Sequence, residues 1–232
     1  MSHILDRPAW SALTTRQAAF GEGGPLALRF DPSIVPFAAA RNDSAEAQAA
    51  LAALPRPGET MALVERHAIV PTPGLTAIGT ARVVQMILAI SPDDGPVRAD
   101  ARIVPLGEAD AADMLALAAL TKPGPFTLRA QALGSFVGVR ENGRLLAMAG
   151  ERMKQPGFSE ISGVAVHPDA QGRGLGKHLS LHMTRLVLAR GEVPYLHAYT
   201  TNARAIGLYE GIGFAVRTEL NVVMVEREVV AA

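Results

Sequence analysis

The stretch that decides the fold of this 232-residue chain reads Gln171-Gly172-Arg173-Gly174-Leu175-Gly176-Lys177. A strand-like run, 160–166, precedes it, and apolar residues at helical spacing follow it (Leu175, Leu179, Met183 and Leu186). Glycines at alternate positions let the backbone turn sharply and approach a ligand closely. The first turn of the next helix presents unpaired N–H groups and a partial positive charge, to which Arg173 and Lys177 add their own. The pattern therefore predicts a phosphate-binding turn between a strand and a helix.

Common nucleotide-binding motifs do not account for this turn. A Walker A loop needs Gly-x4-Gly-Lys-Ser/Thr, but His178 follows Lys177 and position 171 is Gln. A Rossmann fingerprint needs a third glycine where Lys177 stands, and an acidic residue about 20 residues further on. Neither requirement is met. A glycine-rich structural turn that holds no ligand is the alternative at this point.

Two further motifs flank the turn in order along the chain. They are Gly163-Val164-Ala165-Val166-His167-Pro168 before it and Asn202-Ala203-x-Ala205-Ile206-x-Leu208-Tyr209-x-x-x-Gly213-Phe214 after it. Together the three motifs resemble the GCN5-related N-acetyltransferase (GNAT) superfamily, and specifically its FR47-like branch. The resemblance covers residues 160–216 and extends back to Arg102 through a strand–helix–hairpin order. It implies an α/β (α+β) GNAT fold, in which helices flank a mixed, mostly antiparallel central sheet.

The resemblance also implies which residues bind acetyl-CoA, the acyl donor of the family. In the family, the strand before the turn splays from its parallel neighbour, and its free backbone groups pair with the pantetheine arm. The residues implied to contact the cofactor are Val164, Ala165 and Val166 on the strand, Gln171, Gly172, Arg173, Gly174, Leu175, Gly176 and Lys177 in the turn, and Asn202 on the last helix. A simple helix cap is the alternative role for Asn202. No metal is implied.

Tyr209 and Glu160 are the candidate catalytic residues. The resemblance implies that Tyr209 faces the CoA sulfur and acts as the general acid. Its alternative is a core aromatic side chain packed under the sheet. Glu160 is the candidate base, acting directly or through a water, since two-residue alternation predicts it on the face of Ser162, Val164 and Val166. The alternative for Glu160 is an exposed carboxylate at a strand end.

The rest of the chain divides at a cluster of turn-forming residues, 91–96. We predict a divergent N-terminal α/β domain over 1–98 and the acetyltransferase domain over 99–232. By analogy with FR47-like proteins, the first segment is predicted to be a degenerate half of the same fold that covers the acceptor site.

Local patterns predict several elements around these motifs. Asn142-Gly143 between two apolar runs indicates a two-residue hairpin turn, because both central residues of a type I′ turn need positive φ. Two separate final strands are predicted, 214–216 and 220–225. In the first segment, the predicted elements are a helix from Asp43 or Ser44 through Leu54 and strands over 61–65 and 80–90.

Composition and charge exclude several classes of function. Cysteine is absent, which excludes disulfides, Cys-ligated zinc, iron–sulfur clusters and thiol catalysis. The 22 basic and 22 acidic residues balance, so a strongly basic nucleic-acid-binding protein is not expected. The histidines are scattered, and His167, His182 and His197 are predicted to be structural. The start of the chain lacks the apolar run of a signal peptide, and the longest apolar run, 83–90, is too short for a membrane span. We therefore expect a cytoplasmic protein.

The predicted function is acetyl-CoA-dependent transfer of an acyl group to a primary amine of a small molecule or peptide, by direct attack in a ternary complex. A catalytically silent CoA-binding regulatory module is the main alternative. A third hypothesis makes the first segment an interaction domain and a protein partner the acceptor. No nucleic-acid or membrane partner is expected.

Overall fold

The computed structural model describes residues 3–92 and 102–228, in which strands and helices are interleaved along the chain. The strands are β1 (Gly21–Gly24), β2 (Ala27–Phe30), β3 (Phe37–Ala40), β4 (Thr60–Glu65), β5 (Leu75–Leu88), β6 (Ile103–Leu106), β7 (Phe136–Glu141), β8 (Arg144–Gln155), β9 (Phe158–Val166), β10 (Val193–Tyr199) and β11 (Phe214–Arg227). The α-helices are α1 (Pro8–Leu13), α2 (Ala45–Ala53), α3 (Ala111–Thr121), α4 (Leu175–Leu188) and α5 (Ala203–Glu210).

The described strands form one sheet, in the order β1-β2-β3-β4-β11-β5-β10-β9-β8-β7-β6. Neighbouring strands are antiparallel except for two parallel pairs, β3 with β4 and β9 with β10. The predicted mixed, mostly antiparallel sheet flanked by helices is therefore confirmed.

The sheet takes strands from both sides of the predicted boundary at residue 98. The long strand β5 lies between β10 and β11, and β11 also pairs with β4. The boundary itself, and residues 93–96 of the predicted turn cluster, lie outside the described residues. The division into 1–98 and 99–232 stays a prediction, but hydrogen-bonded strands join the two segments.

Helices cover both faces of the central strands. On one face, called the α4 face below, Leu175, Leu179 and Met183 of α4 join a buried apolar cluster with Tyr209 of α5. On the opposite face, called the α1 face, α1 and α3 bury separate apolar clusters, with Met114 of α3 fully buried. The helical spacing predicted for α4 is confirmed. No helix within residues 3–92 and 102–228 has the length and apolar composition needed to cross a membrane.

Of the locally predicted elements, the hairpin turn and the capped helix α2 are confirmed, and the two final strands are not. Asn142 and Gly143 have φ of 51° and 79°, which confirms the hairpin turn. Ser44, not Asp43, caps α2 by accepting a hydrogen bond from the backbone of Ala47 at 3.3 Å. The two predicted final strands are wrong as separate elements, because β11 is one strand with an irregularity at Arg217. Its polar middle section is kept in the sheet by pairing with β5 throughout.

Candidate functional site

The parallel strands β9 and β10 separate part of the way along their length. Their register runs from Phe158 opposite Val193 to Ile161 opposite Leu196 and ends there, although both strands continue. Beyond that point β9 stays paired with β8 on its other side, and β10 stays paired with β5. The facing edges of β9 and β10 therefore have no strand partner, which is the geometry an extended ligand needs to pair with the sheet.

A bulge at Gly163 changes which side chains of β9 share a face. Gly163 has φ of +63°, and a Cβ there would lie 3.0 Å from Cε1 of Phe136. Ser162 to Ala165 of β9 lie opposite Gly150 to Met148 of β8, so β9 contains one extra residue. The glycine is therefore required by both its backbone conformation and its contact.

The bulge overturns the predicted face of Glu160. Val164 and Val166 pack against the buried cluster of the α4 face, together with Ile161. Glu160, one residue before Ile161, lies on the α1 face instead. Strict alternation fails because the extra residue at Gly163 inverts the pattern between 161 and 164. Ala165 also points away from the α4 face, into the cluster beneath α3.

The glycine turn has the conformation that its sequence predicts. Gly172 and Gly174 have φ of +78° and +76°, and no atom lies within 4 Å of a Cβ at either position. Gly174 caps α4 without any side-chain hydrogen bond, so the first N–H groups of a 14-residue helix stay available. This is the local geometry that an anion requires.

The side chains of the turn have separate tasks. Leu175 is buried in the core of the α4 face, so only its backbone can face a ligand. Arg173 forms an ion pair with Glu141, and the side chain of Gln171 accepts a hydrogen bond from Arg204 at 3.4 Å. Lys177 is exposed in the first turn of α4. Of the two cationic residues predicted to contact the pyrophosphate, Arg173 is thus already paired with Glu141.

A cavity of about 340 Å³ lies where β9 and β10 separate, and residues of both sheet faces line it. From the α4 face come Val164, Ala198, Asn202, Ala205 and Tyr209, and from the α1 face and the neighbouring strands come Phe37, Val64, Gly79, Thr80, Ala81, Val83, Arg152, Met153, His197, Tyr199, Val222 and Met224. The loop after α3, 121–125, completes the lining. The cavity therefore joins the two faces of the sheet.

Tyr209 and Asn202, both predicted site residues, meet at this cavity. Asn202 caps α5, since its Oδ1 accepts a hydrogen bond from the backbone of Ala205 at 3.0 Å. Tyr209 is 8% exposed, and burial raises its pKa to about 12. Its ring packs edge-on against Phe214 with centroids 6.3 Å apart. Tyr209 is thus both a packed aromatic side chain and a cavity-lining phenol that stays protonated near neutral pH.

Glu160 is fully buried, so the alternative of an exposed strand-end carboxylate is wrong. Its Oε1 accepts from Nη2 of Arg152 (2.6 Å) and Nδ1 of His197 (2.7 Å). Its Oε2 accepts from Nε of Arg152 (3.0 Å) and the backbone of Met153 (3.2 Å). Burial alone would raise its pKa, but the charge of Arg152 and the hydrogen bonds from Arg152 and His197 outweigh burial and lower it to about 2. A low pKa and four bound donors oppose a role as proton acceptor, which needs the reverse.

His197 is itself held by Gln85 and Arg217, two residues that sequence reasoning does not assign to the site. Nε2 of Gln85 lies 2.9 Å from Nε2 of His197, and Oε1 of Gln85 accepts from Nε of Arg217 at 2.6 Å. Because Arg217 can only donate, Gln85 must donate to His197. His197 then carries its proton on Nδ1 and donates it to Glu160, so both of its ring nitrogens are occupied. The prediction that His197 is structural agrees with this arrangement.

One signal in the sequence could have indicated Arg152. A carboxylate within the apolar strand β9 needs a cationic partner if it is buried, because an unpaired buried charge is costly. Arg152 lies on the adjacent strand β8, and it also stacks with its Cζ 4.9 Å from the ring centre of Phe37. Among the described residues, no three His, Asp or Glu side chains converge in a way that could hold a metal ion.

Known proteins are similar to this chain in sequence and in structure. Residues 136–223 match the family described as FR47-like protein. The crystal structure of an acetyltransferase from the GNAT family of Novosphingobium aromaticivorans DSM 12444 is similar with a TM-score of 0.89 and 41% sequence identity, over 98% of this chain and 100% of that chain.

Two curated relatives are similar over shorter stretches. N-alpha-acetyltransferase RimI of Mycobacterium tuberculosis is 40% identical over 82 residues, which are 34% of this chain and 51% of that protein. A ribosomal protein bS18-alanine N-acetyltransferase of Salmonella typhimurium is 46% identical over 52 residues, which are 22% of this chain and 35% of that protein. The chain thus spans about half or less of the length of these curated relatives.

The divided parallel strand pair and the glycine turn before α4 are the features that the resemblance to GNAT acetyltransferases implies. With 41% identity over essentially the whole length of one such protein, the chain belongs to the GCN5-related N-acetyltransferase family. The resemblance carried by the three sequence motifs is therefore confirmed.

Proposed function

We propose that the protein is an acetyl-CoA-dependent N-acetyltransferase that acylates a primary amine. One observation carries the proposal. The cavity where β9 and β10 separate is lined by the Tyr209 phenol and by Val164 of β9, the strand that precedes the glycine turn and α4 along the chain. An acyl donor bound along the strands and an amine entering from the other face of the sheet would meet in this cavity.

The residues present fit the cofactor. The unpaired edge of β9 at 164–166 offers backbone groups for the pantetheine amides, and the open N-terminus of α4 with 171–177 offers N–H groups for the pyrophosphate. Asn202 lines the cavity while it caps α5. When bound, acetyl-CoA supplies an activated acetyl thioester.

Tyr209 is assigned as the general acid. Its pKa of about 12 keeps the phenol protonated, and its side chain lines the cavity without a hydrogen-bond partner among the described residues. It can therefore hold a proton ready for a leaving thiolate. A general acid of this kind contributes about 10²- to 10⁴-fold to a rate.

Glu160 is assigned a positioning role instead of a role as the base. Its bound oxygens fix Arg152 and His197 against the cavity wall. The described residues that line the cavity include no carboxylate, so the proposal assigns the amine's proton to solvent water. The amine thus reacts in its neutral form, because an ammonium ion has no lone pair with which to attack the thioester.

The acceptor class is a primary amine of a small molecule or peptide. One curated relative is named an N-alpha-acetyltransferase and the other an N-acetyltransferase of an alanine of ribosomal protein bS18, and both names support an amine acceptor. Phe37, Val64 and Val83 contribute cavity wall from the first segment, which supports its predicted role as a cover for the acceptor site.

A free-thiol release assay with acetyl-CoA and a panel of amino acids, peptides, polyamines and aminoglycosides tests the proposal. We expect turnover that falls about 10²-fold or more in Tyr209→Phe. Tyr195→Phe is the matched control, because that tyrosine is buried and does not line the cavity. Binding of acetyl-CoA without turnover of any amine, in the wild type and in Tyr209→Phe alike, would instead establish a silent CoA-binding module.

A further inference from the structure

The part of the cavity that faces the first segment has an uneven distribution of charge. Among its described lining residues, Arg152 and Lys122 are the cationic side chains, and none is a carboxylate. An amine acceptor that is otherwise cationic, such as a polyamine, would meet two like charges here. The acceptor end of the cavity is therefore built for a different kind of molecule.

The Arg152–Glu160 pair is oriented so that its positive end faces the cavity. Glu160 lies behind Arg152, is fully buried, and has both oxygens saturated by donors. Arg152 uses Nε and Nη2 for this carboxylate, which leaves Nη1 without a partner among the described residues. A Cβ at Gly124, which also lines the cavity, would lie 3.7 Å from that Nη1. The free edge of the guanidinium thus faces the space that an acceptor would fill.

The guanidinium of Arg152 is held in place by one neighbour and stays partly exposed. The ring of Phe37 stacks on the guanidinium at 4.9 Å, and the side chain of Arg152 is 13% exposed. Lys122 ends α3 in the left-handed conformation, with φ of 50°, and no described residue forms an ion pair with it. A planar guanidinium and an ammonium that line the same cavity are suited to binding a carboxylate.

We infer that the amine acceptor is a small molecule with its own carboxylate, of the amino-acid class, held by Nη1 of Arg152 with support from Lys122. This inference rests on the proposed acetyl transfer and narrows its acceptor. The cavity of about 340 Å³ must also admit the acyl end of the donor, so the acceptor is small. Gly124 leaves the approach to Arg152 open, since it carries no side chain.

Matched pairs of acceptors test the inference on the wild-type protein. Each pair is an amino acid and its amide, for example glycine with glycinamide and alanine with alaninamide. Each rate is divided by the fraction of neutral amine at the assay pH, because the amides are the weaker bases. We expect kcat/KM to favour the carboxylate by about tenfold to a hundredfold, the range for a charge-assisted hydrogen bond. β-Alanine compared with 2-aminoethylphosphonate distinguishes a carboxylate from a phosphate-like anion.

Two variants test whether Lys122 and Arg152 cause the preference for acceptors with a carboxylate. Lys122→Gln, at an exposed position, is expected to raise KM for glycine several-fold and leave KM for glycinamide and acetyl-CoA unchanged. Arg152→Lys is expected to remove most of the preference, and circular dichroism checks that it folds. Arg56→Gln is the control, because Arg56 is exposed and lies outside the cavity.

The outcomes separate the inference from the proposed function. Turnover of amines with no carboxylate preference, or with a preference for amides, polyamines or the phosphonate, overturns the carboxylate site and leaves acetyl transfer intact. A preference that survives both variants unchanged also overturns the assignment to Arg152 and Lys122. Binding of acetyl-CoA without turnover of any amine overturns the proposed function, and the inference falls with it.

Discussion

The two walls of the cavity are built in different ways. The wall on the α4 face adjoins an unpaired strand edge at 164–166, and the chain runs from there to the free N–H groups at the start of α4, so this side offers mainly backbone groups to a ligand. The wall on the α1 face is mainly side chains, and it takes Phe37, Arg152 and His197 from three separate strands. One wall is suited to a ligand common to many enzymes, and the other to an acceptor particular to this one.

This difference explains why the sequence reveals one wall and conceals the other. Backbone recognition needs glycines at fixed spacing, so Gly172, Gly174 and Gly176 are visible in the sequence as a motif. Side-chain recognition needs only that residues far apart in the chain converge.

Loss of the buried negative charge of Glu160 is expected to lower the free energy of unfolding more than any other change considered. Glu160→Gln leaves the buried guanidinium of Arg152 without its counter-ion, and loss of one partner of a buried ion pair costs about 3–5 kcal/mol. Denaturant unfolding measures the change in the free energy of unfolding. Glu219→Gln is the control, because Glu219 is half exposed in its pair with Arg82 and should change stability by about 0.5 kcal/mol or less. Equal effects of the two variants would contradict the role given to Glu160.

Acid is expected to weaken the ion pair between Glu160 and Arg152. The pKa of Glu160 is about 2 in the folded protein and lies at its ordinary value of 4.5 in the unfolded chain. A carboxyl with a lowered folded pKa stabilises the protein above the unfolded value and loses that effect as the pH falls toward the folded one. We expect about 3 kcal/mol of stability to be lost between pH 5 and pH 2. Unfolding curves across this range should show a smaller loss in Glu160→Gln, and an identical loss would rule Glu160 out.

A change confined to the backbone wall should alter one substrate only. Gly174→Val places a β-branched residue at φ of +76°, which distorts the turn without a steric contact. We expect KM for acetyl-CoA to rise about tenfold, equivalent to about 1.4 kcal/mol, with KM for the amine unchanged. Gly157→Val is the matched control, since Gly157 has φ of +77°, equally open space and a place in the β8–β9 turn. A rise in KM for the amine alone would reverse the assignment of the walls.

Substitution of two helix caps is expected to have the smallest effect, and it tests whether Asn202 also contacts the cofactor. Asn202→Ala and Ser44→Ala each remove one N-cap, and each should cost about 1 kcal/mol of stability. Only Asn202 lines the cavity, so only its variant should also raise KM for acetyl-CoA. Unchanged kinetics in Asn202→Ala would leave that residue as a cap alone.

The local elements near the motifs could be predicted because local chemistry determines them. The hairpin at Asn142, the cap at Asn202 and the apolar stripe of α4 each depend on a few adjacent residues. By contrast, the sequence did not predict β3. Its sequence, Phe-Ala-Ala-Ala, is poor in β-branched residues, and the strand exists because β2 and β4 pair with it on both sides.

The acceptor side of the site could not be predicted for a related reason. The face of Glu160 depends on a single extra residue at Gly163, and alternation gives no warning of a bulge. Its low pKa depends on Arg152 and His197, which reach it from two other strands. Gln85, which fixes the proton of His197, lies 112 residues before it in the chain. None of these contacts leaves a pattern in the local sequence.

The central claim is that acetyl-CoA binds between β9 and β10 and presents its thioester to the cavity. A crystal structure of the protein with acetyl-CoA tests it most directly. We expect the pantetheine amides to pair with 164–166, the pyrophosphate to lie against 171–176, and the thioester to lie within hydrogen-bonding distance of the Tyr209 hydroxyl. Acetyl-CoA bound elsewhere on the protein, or with its thioester remote from Tyr209, would contradict the account.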